Sequence, residues 1–144
     1  MTKAAKNTGK TVVFTNGCFD VIHAGHISLL QRAAALGDIL IVAMNDDHSV
    51  RGLKGPTRPV NDQENRARVL GALECVDAVV LFNDETPIKL IESINPDVLV
   101  KGGDYSVETV VGADFVLSHG GRVELLDLID GLSSTSTIER MKQS

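Results

Sequence analysis

The sequence predicts an α/β domain built on a doubly wound parallel sheet of five strands, with helices on both faces. Two observations carry this prediction. Short apolar runs alternate along the chain with segments whose apolar residues recur at helical spacing. The apolar runs are continuous, as in residues 39–44, and continuous runs are typical of strands covered on both faces. In such Rossmann-like sheets ligands bind outside the carboxyl ends of the strands, so residues that follow strands are the site candidates.

The five strands are predicted in the apolar runs at residues 11–15, 39–44, 78–82, 98–100 and 122–126. The first run is β-branched and aromatic, which favours a buried strand, and Asn16-Gly17 is expected to end it. Between the second and third strands, residues 45–60 contain Lys54, Arg58 and two prolines, and a long connection is expected there.

Helices are predicted from about residue 25 to residue 36, then at residues 61–73, 87–94, 106–119 and 133–141. Asn61 followed by Glu64 resembles a capping box, so the second of these helices is expected to begin there. Thr86-Pro87 combines a capping residue with a proline at the first helical position. Helices between consecutive strands are what a parallel sheet requires.

The length of 144 residues allows one domain, placed at residues 11–144, and the polar tail of residues 1–10 is expected to be disordered. No apolar run is long enough to cross a bilayer, and the tail lacks the apolar core of a signal peptide. The two cysteines, Cys18 and Cys75, form no disulfide framework, which favours a cytoplasmic location. The formal charge of −5 argues against a nucleic-acid binder. An anionic ligand would therefore need positive charge concentrated in one place.

His23 and His26 lie between the first strand and the helix that follows it. Free backbone N–H groups and the positive end of the helix dipole suit an anion at such a position, and Gly25 lets the backbone approach a phosphate closely. The chain has neither the Gly-x-Gly-x-x-Gly fingerprint nor a P-loop, so another device must hold a phosphate. For an isolated pair, two surface histidines beside a helix cap would be the simpler interpretation. A zinc site that includes Cys18 is a further alternative.

Two motifs resemble the signatures of the nucleotidyltransferase family that contains the cytidylyltransferases and the small adenylyltransferases. The first is Thr-Asn-Gly-Cys-Phe-Asp-x-x-His-x-Gly-His at residues 15–26. The second is Leu-Ser-Ser-Thr at residues 132–135, with an arginine five residues after the threonine. Alone, the second motif would indicate a helix N-cap, but the pair favours phosphate contacts. The resemblance covers residues 11–140 and implies that the nucleotide is bound by Thr15, Asn16, Gly17, Cys18, Phe19, His23, Gly25, His26, Ser133, Ser134, Thr135 and Arg140.

The family reaction would be attack by a substrate phosphate oxygen on the α-phosphorus of a nucleoside triphosphate, with release of pyrophosphate. The resemblance implies catalytic roles for His23, His26 and Lys54, Mg²⁺ as the cofactor that offsets the remaining charge, and a homodimer. A phosphomonoester, with a second pKa of about 6, is already largely dianionic at neutral pH. The nucleophile therefore needs no general base, and the protein must supply positioning and donors aimed at developing charge.

The substrates are inferred from a narrower resemblance. Residues 128–131 (Leu-Ile-Asp-Gly) stand where cytidylyltransferases of the family tend to read Arg-Thr-Glu-Gly, and the missing arginine argues against CTP. Residues 16–26, 53–61 and 100–105 together resemble bacterial adenylyltransferases that join ATP and D-glycero-D-manno-heptose 1-phosphate into ADP-heptose for the lipopolysaccharide core. A separate heptose kinase is expected to supply that substrate. This resemblance implies a sugar-phosphate site formed by Lys54, Lys101, Gly102, Gly103, Asp104 and Tyr105.

Three alternatives stay open at this point. One is a cytidylyltransferase acting on glycerol 3-phosphate or a related alcohol phosphate. Another is a nucleotide-binding regulator without turnover, and the third is a zinc-dependent hydrolase that uses Cys18 with the two histidines. Asp46 and Asp47 are expected to cap the turn after the second strand, and Arg58 receives no role because Pro59 beside it suggests a turn.

Overall fold

In a computed structural model of the chain, strands and helices alternate through the described residues, which are 9–83, 87–102 and 110–126. The strands are β1 (Val12–Gly17), β2 (Ile39–Asn45), β3 (Ala78–Phe82), β4 (Val98–Gly102) and β5 (Arg122–Leu126). The helices are α1 (Ala24–Ala34), α2 (Asp47–Lys54), α3 (Gln63–Ala72), α4 (Ile88–Ile94) and α5 (Ala113–Ser118). The predicted helix at residues 133–141 and residues 1–8 of the predicted tail lie outside the described residues.

The five strands form one sheet in the order β3-β2-β1-β4-β5, and every pair of neighbours is parallel. The predicted doubly wound sheet is confirmed. From β1 the chain moves outward to β2 and β3, then returns to place β4 against the other side of β1. The connections that leave β1 and β4 therefore diverge, which opens a crevice at their carboxyl ends where ligands bind in such sheets.

Each face of the sheet carries its own apolar core, as the continuous apolar runs predict. On one face Leu30 of α1 and Leu70 of α3 are fully buried against the strands. On the other face Ile91 of α4 and Val116 of α5 are fully buried in the same way. None of the helices within the described residues is both long enough and apolar enough to cross a bilayer.

Three aspartates fasten the amino ends of the strands, opposite the crevice. Asp38 accepts a hydrogen bond from the backbone N–H of Thr11 at 2.8 Å, and Asp97 accepts one from the N–H of Val12 at 2.8 Å. Asp77 accepts from the N–H of Leu40 at 2.7 Å. These carboxylates satisfy donors at the strand starts, so this end of the sheet is completed by the chain itself.

The first two strands and the connection after β2 differ from the sequence prediction. Asn16 and Gly17 are not a break after β1 but its last two residues, and they lie opposite Ala43 and Met44 of β2. The connection predicted at residues 45–60 contains α2, which the sequence did not predict. Asp46 caps α2 by accepting from the N–H of Ser49 at 2.8 Å, which confirms the capping role predicted for Asp46.

Three helices begin later than predicted. Helix α4 begins at Ile88, so Pro87 is its capping residue rather than its first helical residue, and that prediction is wrong. The cap of α3 is Asp62, which accepts from the N–H of Asn65, so the predicted capping box of Asn61 and Glu64 is wrong. Asn61 is instead bonded to the loop that precedes α1. Helix α5 begins at Ala113, and residues 110–112 before it are not helical. Gly112 has a φ of +88° and a Cβ there would lie 2.7 Å from Ile91 Cδ1, so the chain turns at this glycine rather than continuing a helix.

Candidate functional site

His23 and His26 form the N-terminal cap of α1. His23 is the capping residue, and its Nδ1 atom accepts a hydrogen bond from the N–H of Gly25 at 3.1 Å. His26 Nδ1 accepts in return from the N–H of His23 at 3.3 Å. The two rings lie 4.1 Å apart between centroids. This reciprocal arrangement has the logic of a capping box, with two imidazoles in place of the usual hydroxyl and carboxylate.

The cap determines which ring nitrogen of each histidine carries the proton. A neutral imidazole has one acceptor and one N–H, so an accepting Nδ1 places the proton on Nε2. Burial, with smaller effects from the charges of His23 and Lys54, lowers the pKa of His26 to about 4, and burial also lowers the pKa of His23. Both rings are therefore neutral donors at pH 7. The Nε2 atom of His23 is buried and has no hydrogen-bond partner among the described residues.

The ring of Phe19 packs against the ring of His26. Its ring centroid lies 5.6 Å from that of His26, and the residue is buried. Phe19 has a φ of +50°, which is uncommon for a bulky side chain and costs on the order of 1–3 kcal/mol. A Cβ on Gly17 would lie 3.1 Å from the Phe19 ring, so glycine gives the ring its space. The loop after β1 therefore takes a strained path that positions a histidine ring.

Asp20 ties the loop before α1 to the connection between α2 and α3. Its buried carboxylate accepts from the N–H groups of Val60 at 2.7 Å and Asn61 at 2.9 Å, and from Nε of Arg58. The Asn61 amide donates back to the carbonyl oxygen of Asp20 at 2.8 Å. Burial raises the pKa of Asp20, but the hydrogen bonds from Asn61 and Val60 and the charge of Arg58 outweigh it and hold that pKa below its usual value. Asp20 is thus an ionised anchor rather than a proton donor.

Arg66 of α3 joins the ends of β1 and β2 from inside the protein. Its side chain is fully buried, and Nη1 donates to the carbonyl oxygens of Cys18 and Asn45, both at 2.7 Å. Nη2 donates to Asp47 at 2.7 Å and Nε donates to the Asn61 carbonyl at 3.0 Å. A buried charge needs such partners to be tolerated. Arg66 therefore fixes the spacing of two strand ends and of the first residue of α2.

Two lysines bring positive charge to the crevice. Lys54 is the last residue of α2, is exposed, and lies near enough to His26 for its charge to lower the pKa of that ring. Lys101 lies near the end of β4, where burial lowers its pKa while nearby Cys18 acts in the opposite direction. The Cys18 thiol contacts Asn45 Oδ1 at 3.7 Å. Residues from β1, α1, α2 and β4 thus converge at the switch point of the sheet.

The structure describes some of the predicted site residues, and the others lie outside the described residues. Thr15 is buried within β1, Gly25 is buried in α1, and Asn16, Gly17 and Gly102 end their strands at the crevice. Asp47 pairs with Arg66 instead of capping a turn, so that prediction is wrong. The predicted residues that lie outside the described part of the chain are Gly103, Asp104, Tyr105, Ser133, Ser134, Thr135 and Arg140.

Sequence reasoning missed the polar residues that hold the site together, chiefly Asp20 and Arg66. A signal was present for each. Asp20 stands in an otherwise apolar run at residues 18–22, so a buried carboxylate in need of partners was foreseeable. Arg66 precedes Leu70 by four residues and so shares the buried face of its helix. Within the described residues no group of three His, Cys, Asp or Glu side chains is placed to hold a metal ion, so the zinc alternative finds no support there.

Comparison with known proteins gives one family. Residues 14–138 match the cytidylyltransferase-like family. The bifunctional protein HldE of Syntrophotalea carbinolica is 57% identical over 136 residues, which are 94% of this chain and 28% of that protein. HldE of Mesorhizobium japonicum is 57% identical over 142 residues, which are 99% of this chain and 29% of that protein. The chain thus spans less than a third of these relatives. The crystal structure of the lipopolysaccharide core biosynthesis protein from Thermoplasma volcanium has a TM-score of 0.67 and 27% identity, covering 84% of this chain and 98% of that one.

Proposed function

This chain belongs to the cytidylyltransferase-like family, and we propose that it is an adenylyltransferase that transfers AMP from ATP to D-glycero-D-manno-heptose 1-phosphate. The products would be ADP-heptose, a precursor of the lipopolysaccharide core, and pyrophosphate. The observation that carries this proposal is the capping pair, in which both neutral histidines use Nδ1 to cap the helix and the buried Nε2–H of His23 has no partner among the described residues.

The relatives support the choice of substrates. The HldE proteins are named as bifunctional, and this chain corresponds to less than a third of their length. We assign to this part the nucleotidyl transfer, and to a separate kinase activity the synthesis of the sugar 1-phosphate. The structural relative from Thermoplasma volcanium is named for lipopolysaccharide core biosynthesis, which agrees with an activated sugar as the product.

The proposed chemistry needs donors more than it needs a base. An oxygen of the sugar phosphate would attack the α-phosphorus of ATP, forming a new P–O bond while the bond to the β-phosphate breaks and pyrophosphate leaves. Negative charge then grows on the oxygens around the α-phosphorus. Nε2–H groups of His23 and His26, beside the positive end of α1, would donate to those oxygens. Their low pKa values keep both rings in the required neutral form at pH 7.

The surrounding charges fit a Mg²⁺–triphosphate complex. Lys54 and Lys101 would neutralise phosphate oxygens from opposite sides of the crevice. The carboxylates of Asp20, Asp46 and Asp47 are already engaged by Arg58, Ser49 and Arg66, respectively. Mg²⁺ would therefore be held mainly by phosphate oxygens, as it commonly is at nucleotide sites, and would offset charge there when bound.

Pyrophosphate release tests the proposal directly. The protein is mixed with Mg²⁺ and either ATP or CTP, and each nucleotide is combined with heptose 1-phosphate or with glycerol 3-phosphate. We expect turnover with ATP and heptose 1-phosphate. Preference for CTP and glycerol 3-phosphate would establish the cytidylyltransferase instead, and nucleotide binding without turnover in any combination would establish a regulator. Full activity with Mg²⁺ after removal of zinc would exclude the alternative of a zinc-dependent hydrolase.

A cytoplasmic homodimer completes the proposal. Both cysteines are free thiols, which fits a reducing compartment that also supplies ATP. Light scattering during gel filtration should give twice the chain mass of 15.4 kDa if the protein is a dimer.

A further inference from the structure

The described residues leave two buried side-chain polar atoms without a hydrogen-bond partner, and both are N–H donors. One is His23 Nε2 and the other is Arg58 Nη2. A buried donor left unsatisfied is destabilising, and folded proteins rarely keep one without a reason. The donor on His23 is explained by the proposed triphosphate. The donor on Arg58 belongs to a residue to which the sequence assigned no role, and it needs an explanation of its own.

The guanidinium of Arg58 is held in place by Asp20. Its Nε atom donates to Asp20 Oδ2, and its side chain is 13% exposed. Both carboxylate oxygens of Asp20 also accept from the N–H of Val60, and Oδ1 accepts from the N–H of Asn61 as well. Asp20 is therefore saturated with donors and offers nothing further to Nη2. The result is a positioned guanidinium with one N–H group bonded and the neighbouring one left over.

The position of this spare donor points to an anion. Asp20 precedes His23 by three residues, so Arg58 is fastened to the loop that leads into the N-terminus of α1. The two unsatisfied donors therefore belong to one loop system at the carboxyl edge of the sheet. A guanidinium that is oriented by a carboxylate on one N–H and free on the next is suited to an oxygen of a phosphate group. Lysine could also place a positive charge and an N–H donor beside Asp20, so the need for an ion pair alone does not explain the choice of arginine.

We propose that Arg58 is a phosphate-binding residue: its Nε group holds Asp20 while its Nη2 group donates to a phosphate oxygen of a bound substrate. That oxygen belongs either to the nucleoside triphosphate or to the sugar phosphate. The proposal rests on the proposed adenylyl transfer for the identity of these ligands. It does not rest on turnover, because phosphate binding is measured separately.

The test compares R58K with R68K by calorimetry. Lysine at position 58 keeps the positive charge beside Asp20 but lacks the second donor nitrogen of the guanidinium fork. Arg68 provides the matched control because its side chain is 77% exposed and pairs only weakly, at 3.4 Å, with Glu64 on the same helix. The probes are inorganic triphosphate and heptose 1-phosphate. We expect R58K to lose about 10- to 100-fold in affinity for one of them, as for one charge-assisted hydrogen bond, and R68K to bind both normally.

The outcomes separate the two proposals. Loss of triphosphate affinity assigns Arg58 to the nucleotide, and loss of sugar-phosphate affinity assigns it to the acceptor. A folded R58K that binds both probes like the wild type overturns the inference. Wild-type protein that binds triphosphate in an Arg58-dependent way but releases no pyrophosphate overturns the proposed function alone. If R58K does not fold, a crystal structure of the wild type with inorganic triphosphate and heptose 1-phosphate decides: a phosphate oxygen bonded to Nη2 supports the inference, and phosphates bound elsewhere refute it.

Discussion

The two nitrogens of His23 have separate tasks, and substitution by asparagine or glutamine separates them. Asparagine places an acceptor where Nδ1 lies and removes the Nε2–H donor, whereas glutamine places an amide N–H near Nε2 and removes the short capping acceptor. Asparagine is among the preferred capping residues, so the free energy of unfolding of H23N should lie within about 0.5 kcal/mol of the wild-type value. H23Q should lose about 1 kcal/mol of stability, the typical cost of a missing cap.

Turnover should follow the opposite order. Loss of one donor to a developing oxyanion lowers turnover by about 10²–10³-fold, so H23N should be impaired by that factor while H23Q retains more activity. Urea unfolding gives the stabilities, and pyrophosphate release at saturating substrate gives the turnover. H48N is the control, because His48 is exposed on α2. Wild-type turnover in H23N, or equal losses of stability in both variants, would refute this division of roles.

Three further predictions concern the rest of the site. Burial in the folded protein lowers the pKa of His26 from 6.5 to about 4. Between these two pH values the unfolded chain therefore binds more protons than the folded protein. The free energy of unfolding should accordingly fall as the pH drops below 6.5, by at most about 1.4 kcal/mol per pH unit. Urea titrations between about pH 7.5 and pH 5 should show this loss in the wild type, and H26N should lack that component; parallel curves would contradict the assignment. The free energy of unfolding of R66M should be about 3–5 kcal/mol lower in the same assay, because the substitution leaves the Asp47 carboxylate and three carbonyl oxygens without their donor. A loss below about 1 kcal/mol would show that stability does not depend on this network. Asp104→Ala should raise the KM for the sugar phosphate more than that for ATP in steady-state kinetics, and the reverse pattern would place the residue at the nucleotide.

The fold was predictable because its signal is local. Continuous apolar runs identified each strand, and two-sided burial of Val12 and Val13 on β1 is the physical origin of such a run. Helix α2 escaped prediction because Val50 is the only fully buried side chain among those of this helix that the structure describes, and because the helix contains Gly52. The Asp46 cap and the Asp47–Arg66 pair stabilise that helix, and the second of these is a contact across 19 positions of sequence. Intrinsic helix propensity carries no information about such a contact.

The histidines were predictable as a pair, but their tautomers were not. Spacing places His23 and His26 at one helix end, whereas the cap bonds that fix the proton on Nε2 depend on the backbone path after β1. That path includes the positive φ of Phe19, which no residue preference predicts for an aromatic side chain. The links from Asp20 to Asn61 and from Arg66 to Cys18 span 41 and 48 positions, so only the folded sheet brings them together.

The two ends of the sheet differ in the source of the oxygens that accept hydrogen bonds there. At the amino ends, Asp38, Asp77 and Asp97 supply resident carboxylates to backbone N–H groups. At the carboxyl ends, the buried N–H groups of His23 and Arg58 have no hydrogen-bond partner among the described residues, and under our proposals substrate oxygens would accept from them. The protein's own carboxylates therefore satisfy the donors at one end of the sheet, whereas a bound ligand would satisfy the two donors at the other end. Saturating triphosphate should accordingly raise the unfolding temperature.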